Sequence, residues 1–141
     1  MATPFPRAAL AAAGHRFVQA KGDRIQLAEF DEIMLHQLTR TDPDEISGEI
    51  CETVRSGSAD PAYRASAYLA LGKKGDPELI EFFRIRLAAE LEAGEPGAAY
   101  QVMVALEELD EAVFAPGRGD ANPNESDLNQ RDAEAYLAHL A

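Results

Sequence analysis

The 141-residue chain has no tryptophan, one cysteine and three histidines. Each shortage excludes something. A single cysteine rules out an internal disulfide and a cysteine-cluster metal site. Cys51 falls among Ile46, Ile50 and Val54, a spacing that predicts a buried, inert thiol. His15, His36 and His139 are scattered, so neither a metal nor a cofactor is assigned. β-Branched residues are few, and apolar and polar positions never alternate for long, so no sheet is expected. No run is long enough to cross a bilayer. The Ala8–Ala13 stretch is too short for a secretory signal and is followed by Arg16, Lys21 and Arg24, which points to a cytoplasmic protein. Positive charge is scarce as well: 13 Lys/Arg against 25 Asp/Glu, net −12. The excess is lopsided. Residues 1–75 hold nine basic and ten acidic residues (−1), and residues 76–141 hold four and fifteen (−11). Such a chain repels nucleic acid and anionic membrane, whose phosphates are bound by basic patches, and suits a basic protein partner.

What is present is a helical punctuation. Asp42-Pro43, Asp60-Pro61, Asp76-Pro77 and Glu95-Pro96 each read as a helix start. Proline is tolerated where its missing N–H has no intrahelical partner, and the preceding acid favours the positive end of the helix. The prolines are 18, 16 and 19 residues apart; taken two by two, Pro43 to Pro77 is 34 and Pro61 to Pro96 is 35. That period is the signature of a helical-hairpin repeat. Apolar spacings of three and four predict seven helices: 7–20, 24–39, 43–55, 61 to about 72, 77–93, 96 to about 113, and 128–140. The stripe from Leu79 through Ile85 to Leu91 is wide, as in a helix packed on several neighbours. A core is expected around Leu71, Phe83, Leu87 and Leu106. The connection 115–127 is long, with no large apolar anchor, and is expected to be exposed and mobile.

The segment Asp60-Pro61-Ala-Tyr-Arg64-Ala-Ser-Ala67-Tyr-Leu-Ala70-Leu71-Gly72-Lys-Lys-Gly75-Asp76-Pro77-Glu78-Leu79 resembles a HEAT repeat, of the short HEAT-like type found in bilin-lyase proteins. Ala67 and Ala70 let helices approach closely, Gly72 and Gly75 permit a tight turn, and Asp76 with Pro77 opens the next helix. The match covers residues 60–93 and fades on both sides, as capping repeats do. The resemblance implies a single domain over 1–141: an all-α, short right-handed α-solenoid of about three hairpins plus an N-terminal helix. The second helices (42–56, 76–93, 128–140) would line the binding side. It also implies that Arg64 bonds an acid of the adjoining repeat. A plain seven-helix bundle is the competing architecture. The His-Glu pairs of HEAT-repeat hydroxylases and the basic groove of HEAT-like DNA glycosylases are both missing.

Glu107, Glu108, Asp110 and Glu111 form a dense acidic run, to which Glu78 and Glu81 add. On one helix, Glu107 and Glu111 would repel at i, i+4 unless something positive lay near. The expected function is a non-enzymatic adaptor or inhibitor of the immunity type, engaging a basic protein through these acids by electrostatic complementarity. The alternative is a lyase-like or enzyme-accessory protein with a small-molecule pocket between helices. The sequence is silent on oligomeric state.

Overall fold

The structure, a computed structural model, describes residues 5–20, 42–116 and 122–140. The helix expected over 24–39 lies outside them, as does the middle of the loop expected to be mobile, 117–121. Among the described residues every regular element is helical: α1 (Leu10–Ala20), α2 (Pro43–Arg55), α3 (Pro61–Lys74), α4 (Ile80–Ala93), α5 (Pro96–Glu108) and α6 (Ser126–Leu140). Short 3₁₀ turns, Arg7–Ala9 and Pro77–Leu79, lead into α1 and α4. None of these helices is long and apolar enough to cross a membrane.

Three of the four acid–proline pairs cap as their chemistry requires. Asp42, Asp60 and Asp76 accept from the backbone N–H of Asp44, Tyr63 and Glu78 at 2.8, 2.8 and 2.9 Å. Each satisfies an amide that the helix leaves free, contributing about 1 kcal/mol. Glu95 makes no such bond. The helix ends are also specific. Gly75 and Gly94 stop α3 and α4 in the left-handed conformation, at φ 66° and 71°. Gly72 enters that turn only through its carbonyl, which accepts the Gly75 N–H at 3.3 Å. It lies inside α3, where an added Cβ would come within 3.3 Å of the Ala105 Cα on α5. Its role is close approach between helices.

That approach organises the fold. α3 lies between α1 and α5, with the three side by side. On the α1 side, a Cβ on Gly14 would stand 3.5 Å from the Ala70 Cα. Hence α1 belongs to the row and is not an extra helix standing apart from it. α2 packs on α1 and α3, α4 packs on α5 and α6, and α6 completes the cover of α5. Leu71, Phe83, Leu87 and Leu106 are fully buried in one continuous core. Each such side chain contributes about 1.5–3 kcal/mol by leaving water. Three residues on the expected apolar stripes face solvent instead: Leu69, Ile85 and Leu140. The α4 stripe is therefore narrower than its sequence suggests.

Two segments outside the helices are tied down by polar bonds. Phe5 is buried, its N–H donates to Thr53 Oγ1 (2.9 Å), and its carbonyl accepts from the Tyr63 hydroxyl (2.7 Å). This clasps the chain's start onto α2 and α3. Beyond α5, Val113 is buried and Phe114 packs beside Tyr100.

Candidate interaction surface and cleft

The acidic run is divided by the end of α5. The helix stops at Glu108, short of the expected 113. Asp110 takes φ 65°, its N–H donates to the Glu107 carbonyl, and the Glu111 N–H donates to the Leu106 carbonyl. This pair of bonds closes a helix in a left-handed cap, a place usually held by glycine. Asp tolerates it better than most residues. Consequently Glu107 and Glu111 never share a helical face, and the expected i, i+4 repulsion does not arise. Glu107 turns back onto the loop, where one carboxylate oxygen accepts from the N–H groups of Val113 (2.9 Å) and Phe114 (2.8 Å). Glu111 reaches α4 and α6, accepting from Arg84 Nη2 (2.5 Å) and the Tyr136 hydroxyl (2.7 Å). Those two bonds, the tyrosine's first and the arginine's second, hold its carboxyl below the ordinary range. Both acids expected to face a partner are thus engaged within the fold.

Glu78, Glu81, Glu108 and Asp110 remain exposed. Glu81 lies 3.9 Å from Arg84, too loose a pair to neutralise it. Glu81, Ile85 and Glu92 recur at helical spacing on the outward side of α4. At 59% exposure, Ile85 is the barest large apolar side chain described.

A second cluster is entirely internal. Arg64, on α3, holds Glu90, on α4, by two guanidinium nitrogens at 2.8–3.1 Å, and its third nitrogen donates to the Ala59 carbonyl. The Tyr68 hydroxyl donates to Glu90 at 2.5 Å and accepts from Arg86 Nε at 2.9 Å. Burial by itself would raise the Glu90 carboxyl; the bonds from Arg64 and Tyr68 outweigh it and leave it lowered. Burial, and then the Glu90 bond, push the Tyr68 phenol well above its usual value. Arg64 is therefore in a structural ion pair, but with an acid of its own 60–93 hairpin and not, as the resemblance implied, of the adjoining repeat. Asp76 has a comparable role at the surface, where Lys74 bridges it to Asp44 at 2.8 and 2.6 Å. Gly75 and Pro77 shape the same corner.

Sequence reading counts Glu90 only as one more acid of the C-terminal half and gives Tyr68 no role, although a signal for both is there. Arg64 and Tyr68 are four apart on α3, and Arg86 and Glu90 are four apart on α4, so each pair shares a face.

A cleft of about 240 Å³ opens where the end of α4 meets the first turns of α5 and α6. Leu91, Ala99 and Met103 supply apolar wall, and Glu90, Glu95, Ser126 and Asn129 supply polar wall. Its volume is below the few hundred cubic ångströms usual for small-molecule sites. Among the described residues, no cluster of His, Cys, Asp or Glu has the geometry to hold a metal. No family model, no curated protein and no solved structure matches the chain.

Proposed function

We propose that this chain is a non-enzymatic protein-binding module, an adaptor or immunity-type inhibitor, that engages a basic protein through its acidic C-terminal half. The observation that carries this reading is the division of the acids. Glu90, Glu107 and Glu111 are spent on internal bonds, whereas Glu78, Glu81, Glu108 and Asp110 stay exposed. Exposed like charges keep a monomer soluble at the cost of self-repulsion, and they also steer a basic partner towards it. Ile85, set among exposed carboxylates, adds an apolar contact of the sort that interface cores use. We also propose that the helices stack as HEAT-like hairpins. What supports this is the row of α1, α3 and α5, with α2 covering one end and α4 and α6 the other.

The test is retention of a protein from extracts of the source cells on immobilised wild-type chain and on Glu78→Gln/Glu81→Gln/Glu108→Gln/Asp110→Asn. The expected result is a basic protein held by the wild type, released progressively along a salt series, and lost on the substituted chain. A partner held equally by both, with no salt dependence, would remove the acidic surface from the mechanism.

A further inference from the structure

We infer that the cleft between α4, α5 and α6 receives one lysine or arginine side chain of the basic partner, with Glu95 as its counter-ion; this rests on the protein-binding reading above. Glu95 is fixed in place by its backbone. Its N–H donates to the Glu90 carbonyl at 3.0 Å, closing α4, and its own carbonyl accepts from Ala99 at 3.0 Å, opening α5. Its side chain is left over. It does not cap α5, and among the described residues its carboxylate makes no hydrogen bond or ion pair. Arg64 feels it at longer range, but that guanidinium is already engaged by Glu90 and the Ala59 carbonyl. A half-buried carboxylate beside Leu91, Ala99 and Met103 is poorly solvated without being neutralised. A cation entering the cleft corrects that.

The shape and field of the cleft favour a side chain over other occupants. An alkyl stem needs apolar wall and its charged head needs a partner at one end, and the cleft offers both. A hard metal ion would want several oxygen ligands, whereas Glu90, the other carboxylate in the wall, has its oxygens taken by Arg64, Tyr68 and Arg86. The helix ends compete among themselves. α4 contributes about half a negative charge, and α5 and α6 about half a positive charge each. Their sum, about half a positive charge, is smaller than the full negative charge on Glu95, the carboxylate of the wall that no described side chain bonds. The residues around it belong to the half with net charge −11 (four basic, fifteen acidic). Arginine is one of the residues enriched at binding hot spots, where it fills a pocket on the partner. Because the Glu95 backbone is held before binding, the ordering cost of the contact falls on its side chain alone.

The probe is N-acetyl-arginine methylamide, titrated into ¹⁵N-labelled protein, with the citrulline analogue as its uncharged isostere. The expected result is saturable shifts confined to amides lining the cleft, Gly94, Glu95, Ala99, Ser126 and Gln130, with citrulline at least about tenfold weaker. Glu95→Gln should weaken the arginine probe by a similar factor. Glu92→Gln, removing an exposed acid from the outward side of α4, should change it less than about twofold. Equal binding of citrulline would overturn the inference, as would shifts scattered over the acidic surface or equal effects of the two substitutions. Glu95→Gln also belongs in the retention experiment. If it holds the basic partner as the wild type does, while the four-acid variant loses it, the cleft is not an anchor and the protein-binding reading stands. If the wild type retains no basic protein although the arginine probe binds, that reading falls and the assignment to a partner's side chain falls with it.

Discussion

Replacing Glu90 by leucine tests whether the internal ion cluster holds the two halves of the central hairpin together. The carboxylate is 1% exposed, and it is the shared acceptor for Arg64, Tyr68 and Arg86. Leucine fills nearly the same space, so the cost comes from the donors left behind. The Tyr68 hydroxyl, on a fully buried residue, loses its acceptor, which costs about 1–3 kcal/mol. Arg64 loses its counter-charge but keeps the Ala59 carbonyl, and its 15% exposure lets water reach it. Removing one partner of a buried pair costs about 3–5 kcal/mol, and access to water places this case near 3. Urea unfolding followed by circular dichroism measures it, provided the m-value stays constant. Arg64→Met/Glu90→Leu should then lose less than the two single substitutions summed, since the uncompensated charge is gone. A loss under about 1 kcal/mol for Glu90→Leu, or strict additivity in the cycle, would refute the reasoning. The pH dependence has a definite sign. The folded carboxyl lies below its ordinary value of 4.5, so the unfolded chain takes up the proton at higher pH than the folded one. The cluster's contribution is therefore complete above about 4.5 and disappears as the pH falls through the lower folded value.

Two further outcomes follow from the same packing. Gly48→Ala, in α2 with open space around it, should stabilise the protein by about 0.5–1 kcal/mol, whereas Gly72→Val, meeting the Ala105 backbone, should destabilise it by about 1–3 kcal/mol; thermal melts of both decide it. Burial raises the Cys51 thiol to about 11, so an aromatic disulfide reagent at pH 8 should leave it unmodified in the folded protein and modify it fully in urea.

The residues that announce the fold locally are the ones sequence reading used well. Asp-Pro caps act within three residues, so Asp42, Asp60 and Asp76 could be placed from their neighbours alone. The core quartet Leu71, Phe83, Leu87 and Leu106 is legible because helical spacing sorts inward from outward positions. What was not legible depends on distant partners. Gly72 reads as a turn residue until Ala105 is brought against it. The end of α5 was hidden because Asp110, and not glycine, takes the left-handed cap. Glu90 looks like any surface glutamate of an acidic helix, and only the docking of α3 onto α4 delivers Arg64 and Tyr68 to it. Ile85 shows the opposite failure: it fits the apolar stripe, yet it is 59% exposed and none of the described helices covers it.

The acids of the C-terminal half therefore fall into kinds that sequence proximity does not separate. Glu107 and Glu111 are four residues apart, but a two-residue cap sends one onto the loop backbone and the other across to Arg84 and Tyr136. Glu90 and Glu95 are five apart on either side of Gly94, and the turn buries the first against two arginines while leaving the second in the wall of a cleft, bonded to no described side chain. In both cases a left-handed residue, Asp110 or Gly94, sends two nearby carboxylates to different surroundings. Net charge overstates the surface available to a partner, because each internal carboxylate is cancelled by a basic residue or by backbone N–H groups. The charge left towards solvent includes that on Glu78, Glu81, Glu95, Glu108 and Asp110. Substituting those acids should change affinity for a basic partner with little effect on stability, whereas substituting Glu90 should do the reverse.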